Sequence, residues 1–250
     1  LLYACERARV GKVVATSSSA VFGVPASNPV LPETPPMPAD RYGRAKLDAE
    51  LVCRAAVTRG LDVSIVRPRP ILGMRRRGVF AILFDWIAAG SAVPVPGSGA
   101  NRYQAVHADD LASACILAAD RSGPGSYNIG AEQFGTLRDA VEHLCAHAGT
   151  GAHVRSVPVA VTAKTMRLTA QLGLTPFDAD QWITYSKELW FDLHAAQESL
   201  GWKPVHSTDA ALRDSYDLFI SDREAARLSG TDAANPATQG ILRLAKRLFR

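Results

Sequence analysis

The stretch KVVATSSS, Lys12 to Ser19, decides how this sequence folds. Its apolar part, Lys12 to Thr16, contains two valines and ends at a serine cluster, which is typical of a buried parallel strand. In an open parallel sheet, ligands bind at the carboxyl ends of the strands. The hydroxyl groups that follow the strand are therefore expected to face a binding site, although serine is also common in ordinary polar turns.

A strand, helix, strand unit extends from this stretch. Asp40 is a suitable N-cap for a helix that runs to about Arg59, and Gly60 is a suitable C-terminal stop. Leu61 to Arg67 is the next buried strand. A strand, a helical crossover and a second strand form the βαβ unit of a parallel sheet.

Helices and strands continue to alternate downstream, which predicts an α/β fold. Further helices are predicted at Val79–Ala89, Asp109–Ala119, Leu137–Ala148, Ala160–Leu172 and Asp209–Phe219, and further strands at Tyr103–Val106, Ser126–Ile129 and His153–Val157.

Composition narrows the function classes. The 250 residues are 47% hydrophobic and 21% charged, enough to bury a sizeable core. The net charge of +4 is matched by the four basic residues of the tail after Gly240, so the rest of the chain is near neutral and no nucleic-acid partner is expected. Four scattered cysteines without a CxxC pair indicate a reduced, cytoplasmic protein.

The motif YGRAK places Tyr42 and Lys46 four residues apart, and therefore on one face of the predicted helix. An ammonium group close to a phenol favours the phenolate, so this pair is suited to general acid/base chemistry. The spacing alone is weak support, because a tyrosine and a lysine can share a helix face by chance. The serine cluster before it and the segment RPRPILG after the next strand give the pair a consistent setting.

Taken together, TSSSAVFG, YGRAK, IVRPRPILG and VHADDLASA, in this order, resemble the extended short-chain dehydrogenase/reductases, or NAD-dependent epimerase/dehydratase family. A late LGW segment is similar to the closing stretch of that family. The resemblance implies the second half of a Rossmann-like doubly wound parallel sheet, with a smaller α/β substrate subdomain. It assigns residues 1–75 and 103–125 to the cofactor domain, 76–102 and 126–228 to the substrate subdomain, and 229–250 to a basic amphipathic tail.

The same resemblance implies roles for individual residues, with NAD or NADP as cofactor. Ser18 would hold the substrate oxygen, and Tyr42 would be the general acid/base. Lys46 would assist Tyr42 and bind the nicotinamide ribose, and Arg69 would contact the nicotinamide end of the cofactor. The implied activity is hydride transfer at an alcohol or ketone carbon of a small-molecule substrate, which is the expected partner. Nucleotide-sugar epimerase or dehydratase chemistry is the alternative.

The sequence departs from the family pattern in the cofactor-binding turn. It contains no Gly-x-x-Gly-x-x-Gly segment, the turn that holds a dinucleotide pyrophosphate. The expectation is therefore an N-terminally truncated member in which this turn would precede Leu1. A non-catalytic remnant of the fold is the second hypothesis.

Smaller departures concern the substrate. Pro70 stands where nucleotide-sugar members often have Asn, Tyr103 stands where they place an arginine, with Arg102 one step away, and Phe22 replaces the usual Tyr. These changes favour a ketone or alcohol substrate without a nucleotide.

The remaining candidates are interpreted conservatively. His143 and His147 share a helix face, but a zinc site needs further ligands, so no metal is expected. Asp109 and Asp110 are expected to serve the cap and dipole of a helix. Residues 75–77 form an arginine triplet, more typical of a solvated loop than of a phosphate clamp. The amphipathic tail allows weak membrane contact, and a homodimer is a further expectation.

Overall fold

The structure is a computed structural model that describes residues 1–73, 80–160 and 186–228. The chain divides into two compact units. The first unit comprises Leu1–Leu72, Gln104–Phe134 and Glu188–Thr208, and the second comprises Gly73–Tyr103, Gly135–Lys187 and Asp209–Arg250.

The first unit contains a parallel three-stranded sheet, in which the strands lie in the order Val13–Thr16, Val63–Pro68, Gly125–Ile129. Its helices are α1 (Leu2–Arg7), α2 (Arg41–Thr58), α4 (Ala108–Asp120) and α6 (His194–Leu200); its strands are β1 (Val13–Thr16), β2 (Val63–Pro68), β3 (Ile71–Leu72), β5 (Val106–His107) and β6 (Gly125–Ile129). A 3₁₀ turn, Ser19–Phe22, follows β1. Strands β3 and β5 form a separate parallel pair.

Strand β2 lies in the middle of the three-stranded sheet and is buried along its whole length. Successive side chains of a strand point to opposite faces. Val63 and Ile65 accordingly pack with Cys53 of α2, whereas Val66 packs in the cluster that contains Ala114 of α4. Helices on both faces of a parallel sheet confirm the predicted Rossmann-like fold class.

The amino-terminal edge of the same sheet is held by one carboxylate. Asp62, just before β2, accepts hydrogen bonds from the Lys12 ammonium (2.7 Å) and from the backbone N–H of Gly123 (2.8 Å). Lys12 and Gly123 precede β1 and β6. Asp62 therefore fixes the starts of three neighbouring strands, at the edge opposite the serine cluster.

The second unit is built on a different parallel pair. Its elements are α3 (Phe80–Ala88), β4 (Ala92–Pro96), α5 (Leu137–Ala148), β7 (His153–Val157) and α7 (Thr208–Leu228), the last beginning at the unit boundary. Strands β4 and β7 pair in register from Ala92 opposite His153 to Pro96 opposite Val157. Helices α3 and α5 pack against β4. Thr136 and Asp139 form a capping box at the start of α5.

The first unit extends further along the chain than predicted. The substrate subdomain was expected from residue 126 onwards, but β6 hydrogen-bonds to β2, and residues 188–208 belong to the first unit. Strand β4 and helix α6 were not predicted. The strand expected at Tyr103–Val106 is instead the two-residue β5, which begins three residues later and ends one residue later. β4 contains two prolines, which disguise it in the sequence.

Some predictions lie outside the described residues: the arginine triplet at 75–77, nearly all of the helix predicted at 160–172, and the tail 229–250. Within the ranges that the structure describes, no helix combines the length and apolar character needed to cross a membrane.

Candidate active site

Ser18 starts the 3₁₀ turn that follows β1. Its backbone is extended, and its Oγ accepts a hydrogen bond from the backbone N–H of Ala20 at 3.2 Å. Because the hydroxyl oxygen accepts this bond, the hydroxyl hydrogen can be donated elsewhere. Ser18 is half-buried, at the carboxyl edge of the sheet where the sequence placed it.

The first turn of α2 lies directly against this 3₁₀ turn, and Gly43 makes the close approach possible. A Cβ atom at Gly43 would lie 2.3 Å from the carbonyl oxygen of Ala20, far inside van der Waals contact. Asp40 begins the helix as predicted, since its carboxylate accepts the backbone N–H of Gly43 at 2.6 Å. The structure thus brings the segments that carry Ser18 and Tyr42 together.

Tyr42 and Lys46 are neighbours on α2. The Lys46 ammonium lies 5.9 Å from the centroid of the Tyr42 ring and donates a hydrogen bond to the carbonyl oxygen of Thr16 at 3.1 Å. Thr16 is the last residue of β1, so Lys46 is held at the carboxyl edge of the sheet. Tyr42 is 56% exposed, and the residue is therefore accessible from solvent.

Arg69 has different surroundings from the other three predicted site residues. It is buried just after β2, and its Nε donates to the carbonyl oxygen of Gln104 at 3.2 Å. Its guanidinium lies over the ring of Phe191, 5.7 Å from the centroid. These contacts fix the arginine within the first unit, and its predicted contact with the cofactor stays a prediction.

The sequence reasoning missed a buried ion pair beside the serine cluster. The guanidinium of Arg67 binds the carboxylate of Glu50 through Nε and Nη2, at 2.8 and 2.7 Å, and the side chains are 1% and 2% exposed. The hydroxyl of Ser17 donates to the same carboxylate at 2.6 Å. A glutamate in the middle of α2 and an arginine in the apolar strand β2 were the available sequence signals.

The electrostatics of this ion pair favour the charged state. Burial opposes the ionisation of Glu50, but the hydrogen bonds from Arg67 and Ser17 and the charges of Arg67 and Arg54 outweigh it. The pKa of Glu50 consequently lies below its ordinary value. Glu50 is therefore a structural anion at neutral pH and cannot serve as the acid of the site.

Two of the residues that depart from the family pattern are buried. Phe22 is 1% exposed and packs edge-on against Phe191, with ring centroids 5.8 Å apart. Tyr103, in the second unit, is 4% exposed, whereas Arg102 is exposed. Phe22 thus contributes to the core of the first unit, which accounts for an apolar ring at this position.

The two aspartates at the start of α4 have different roles. Asp110 is 3% exposed and accepts hydrogen bonds from the backbone N–H groups of Val205 and His206, both at 3.0 Å. Asp109 is exposed in the first turn, near the helix dipole, as expected. Both aspartates lie in the first turn of α4 as predicted, but the residue that caps the helix is His107. Asp110 has a further role, since it fastens the segment before α7 to α4.

Two histidines of the first unit stack near this cap. His107 accepts the backbone N–H of Asp109 through Nδ1 (3.2 Å), and the ring of His206 lies on it with centroids 4.0 Å apart. His107, Asp109 and His206 each bring one potential metal ligand within 4.8 Å of the others. Both Nδ1 atoms already have partners, because that of His107 accepts the N–H of Asp109 and that of His206 lies 3.1 Å from Asp110. We therefore interpret the stacked histidines as part of the helix cap and not as a metal site.

The histidine pair that the sequence suggested as metal ligands has other partners. In the second unit, His143 Nδ1 lies 2.6 Å from Asp209 and His147 Nε2 lies 2.8 Å from Asp217. These two contacts join α5 to α7. The pairing explains both histidines without a metal ion.

The chemistry of Tyr42 and Lys46 fits one half of a nicotinamide dinucleotide. A phenol and an ammonium at the carboxyl edge of a parallel sheet can bind ribose hydroxyls, and that edge is where such folds bind their ligands. The sequence has no glycine-rich turn for the pyrophosphate half. The residues present therefore fit the nicotinamide ribose.

The parallel sheet covered by helices on both faces, with Ser, Tyr and Lys at its carboxyl edge, defines the class of Rossmann-like α/β proteins related to nicotinamide oxidoreductases. The chain belongs to the NAD dependent epimerase/dehydratase family, whose sequence model matches residues 1–130.

The chain is similar in sequence to longer proteins. It is 45% identical over 237 residues to "Uncharacterized protein y4nG" of Sinorhizobium fredii, covering 94% of this chain and 60% of that protein. It is 27% identical over 221 residues to a dTDP-glucose 4,6-dehydratase of Streptomyces niveus, covering 80% of this chain and 66% of that protein. The chain thus spans less than two thirds of either relative.

The fold is also that of a solved structure, the UDP-glucuronic acid 4-epimerase of Bacillus cereus in complex with NAD. The TM-score is 0.70 at 21% identity, and the match covers 88% of this chain and 65% of that one. At this identity the likeness establishes the fold.

Proposed function

We propose that this chain provides the acid/base site of an NAD-dependent enzyme that transfers hydride at a carbinol carbon of a nucleotide sugar. The observation that carries the proposal is the position of Tyr42 and Lys46. The ammonium group lies 5.9 Å from the ring centroid and is anchored on the last carbonyl of β1, beside the turn that begins with Ser18.

The three side chains have different tasks. Ser18 donates its hydroxyl hydrogen to the substrate oxygen and orients it, because its own oxygen is occupied by the N–H of Ala20. Tyr42 takes the proton of the substrate hydroxyl, or returns it to the carbonyl. Lys46 stabilises the phenolate and holds the nicotinamide ribose. When bound, NAD supplies the hydride acceptor.

The substrate class comes from the relatives. A dTDP-glucose dehydratase and a UDP-glucuronic acid epimerase, by their names, act on sugars linked to nucleotides. The sequence itself favoured an alcohol or ketone without a nucleotide, because of Pro70 and Tyr103. The match to the dTDP-glucose 4,6-dehydratase extends over 221 residues and covers 80% of this chain, so it supports the nucleotide sugar more strongly than those two single positions oppose it.

The test is turnover by the purified protein supplied with NAD and, in turn, dTDP-glucose, UDP-glucose, UDP-glucuronic acid and the corresponding free sugars. Products are followed by chromatography and cofactor reduction by absorbance. Replacing a general acid/base costs about 10²- to 10⁴-fold in rate, so Tyr42→Phe should lose that much. Tyr3→Phe is the matched control, since Tyr3 is 70% exposed on α1 and lies outside the proposed site.

Retention of wild-type turnover by Tyr42→Phe would remove the proposed role of Tyr42. Turnover of the free sugars alone would replace the nucleotide-sugar substrate by the simple alcohol or ketone class. Absence of turnover with every compound would overturn the proposed activity of this chain.

A further inference from the structure

The ion pair between Glu50 and Arg67 lies where three parts of the proposed site meet. Glu50 is on α2, two turns beyond Tyr42, and Arg67 is in β2. Glu50 Oε1 accepts both the Ser17 hydroxyl (2.6 Å) and Arg67 Nε (2.8 Å), while Oε2 accepts Arg67 Nη2 (2.7 Å). Both carboxylate oxygens are therefore committed to fixed partners.

Arg67 extends the same network to the far end of the serine turn. Its guanidinium carbon lies 5.1 Å from the ring centroid of Phe22, the last residue of the 3₁₀ turn, and its Nη1 donates to the carbonyl oxygen of Pro32 at 2.8 Å. The turn that carries Ser18 is consequently held on both sides, by Ser17 before it and by Phe22 at its end.

Stability alone is a poor account of this arrangement. A buried ion pair pays a large desolvation penalty, and apolar side chains of similar volume often stabilise a fold equally well. A bidentate guanidinium and carboxylate pair fixes direction as well as distance. Fixed direction matters most where two catalytic groups on different elements must meet one substrate atom.

We infer that Glu50 and Arg67 are positioning residues, which hold the turn carrying Ser18 in a fixed place relative to the helix carrying Tyr42. The inference rests on the proposed function. Neither residue contacts the substrate in this scheme; they act through Ser17 and Phe22. Misplacing a reacting group by about 1 Å can cost roughly 100-fold in rate, so loss of the pair should lower kcat far more than it changes KM.

The experiment compares Glu50→Gln with two controls in the purified protein, assayed with NAD and the nucleotide sugar turned over best. Arg54→Gln removes an exposed arginine 3.5 Å from Glu50 and should leave kcat unchanged. Asp62→Asn weakens the opposite edge of the sheet and controls for loss of stability. We expect kcat to fall about 10- to 100-fold in Glu50→Gln, with KM within about threefold, and to stay near wild type in both controls.

Hydrogen exchange supplies a readout that does not depend on turnover. The backbone N–H of Ser17 donates a hydrogen bond to the carbonyl oxygen of Val66, and the backbone N–H of Ala20 donates one to the hydroxyl oxygen of Ser18. In Glu50→Gln, the amide hydrogens of residues 17–23 should exchange about tenfold faster than in wild type, while those of α4 should exchange at the wild-type rate. In Asp62→Asn, residues 17–23 should not show this local increase. If Glu50→Gln does not fold, Ser17→Ala keeps the ion pair, removes its link to the turn, and should show the same local change with a smaller loss of kcat.

The inference is overturned if the amide hydrogens of residues 17–23 exchange at the wild-type rate in Glu50→Gln, whatever its activity. The same holds for Ser17→Ala if that variant has to replace Glu50→Gln. The inference is also overturned if Asp62→Asn loses kcat as much as Glu50→Gln does for the same loss of stability. Failure of the proposed function has a different signature, since it shows as absent turnover in wild type or full activity of Tyr42→Phe.

Discussion

Substituting Asp110 by Asn tests whether the start of α4 fastens the segment before α7. The carboxylate is 3% exposed and accepts two backbone N–H groups, from Val205 and His206, each at 3.0 Å. Asn has nearly the same shape but offers one acceptor oxygen, so its NH₂ group must face one of these N–H donors. A hydrogen bond to a charged group contributes about 1.5–3 kcal/mol, and a buried donor left unpaired costs about 1–3 kcal/mol.

These two costs overlap, and we expect Asp110→Asn to lower the free energy of unfolding by about 3 kcal/mol. Asp109→Asn is the matched control, because its side chain is 61% exposed and interacts with the helix dipole, worth about 0.3–1 kcal/mol. Urea denaturation followed by circular dichroism measures both. A difference between the variants below about 1 kcal/mol would refute the anchoring role of Asp110.

Three further predictions concern single residues. Gly43→Ala should destabilise the protein by about 1–3 kcal/mol in urea denaturation, because its Cβ would lie 2.3 Å from the carbonyl oxygen of Ala20. Gly11→Ala is the control, since its Cβ would meet no atom within 4 Å and the variant should be nearly as stable as wild type. The pKa of Glu50 is lowered on folding, so its ionisation stabilises the fold above the unfolded value of about 4.3, and this benefit is lost as the pH falls through the folded value. The stability difference between wild type and Glu50→Gln should therefore shrink as the pH falls below about 5, and a difference that stays constant in acid would contradict this. Burial raises the pKa of Cys145 to about 11, so alkylation near pH 8, mapped by mass spectrometry, should spare Cys145 in the native protein and label it in urea; rapid native labelling would contradict its burial.

The local features of the fold were predictable from short stretches of sequence. The strand before the serine cluster, the helix that begins at Asp40, and the strand that ends near Arg67 were all confirmed. Such elements depend on the spacing of apolar residues and on capping groups within a few positions. Strand β4 was missed because its two prolines break that local pattern, and its partner β7 is more than fifty residues away.

Among the candidate site residues, the sequence correctly predicted the elements that carry Ser18, Tyr42 and Lys46. An i, i+4 spacing on a helix is a local property. It could not separate Asp109 from Asp110, which are adjacent in the chain and differ only in what covers them. That difference comes from residues 205 and 206, nearly a hundred positions downstream.

The sequence by itself determined the fold class, the βαβ unit and the tyrosine and lysine pair at the edge of its sheet. Only the tertiary structure decided that Glu50 and Arg67 form a buried ion pair beside Ser17, and that Gly43 lets the segments carrying Ser18 and Tyr42 meet. The physical reason is the distance along the chain over which each feature is determined. Periodicity and capping are written in neighbouring residues, whereas the burial of a charge and the closeness of two backbones depend on which distant segments pack together.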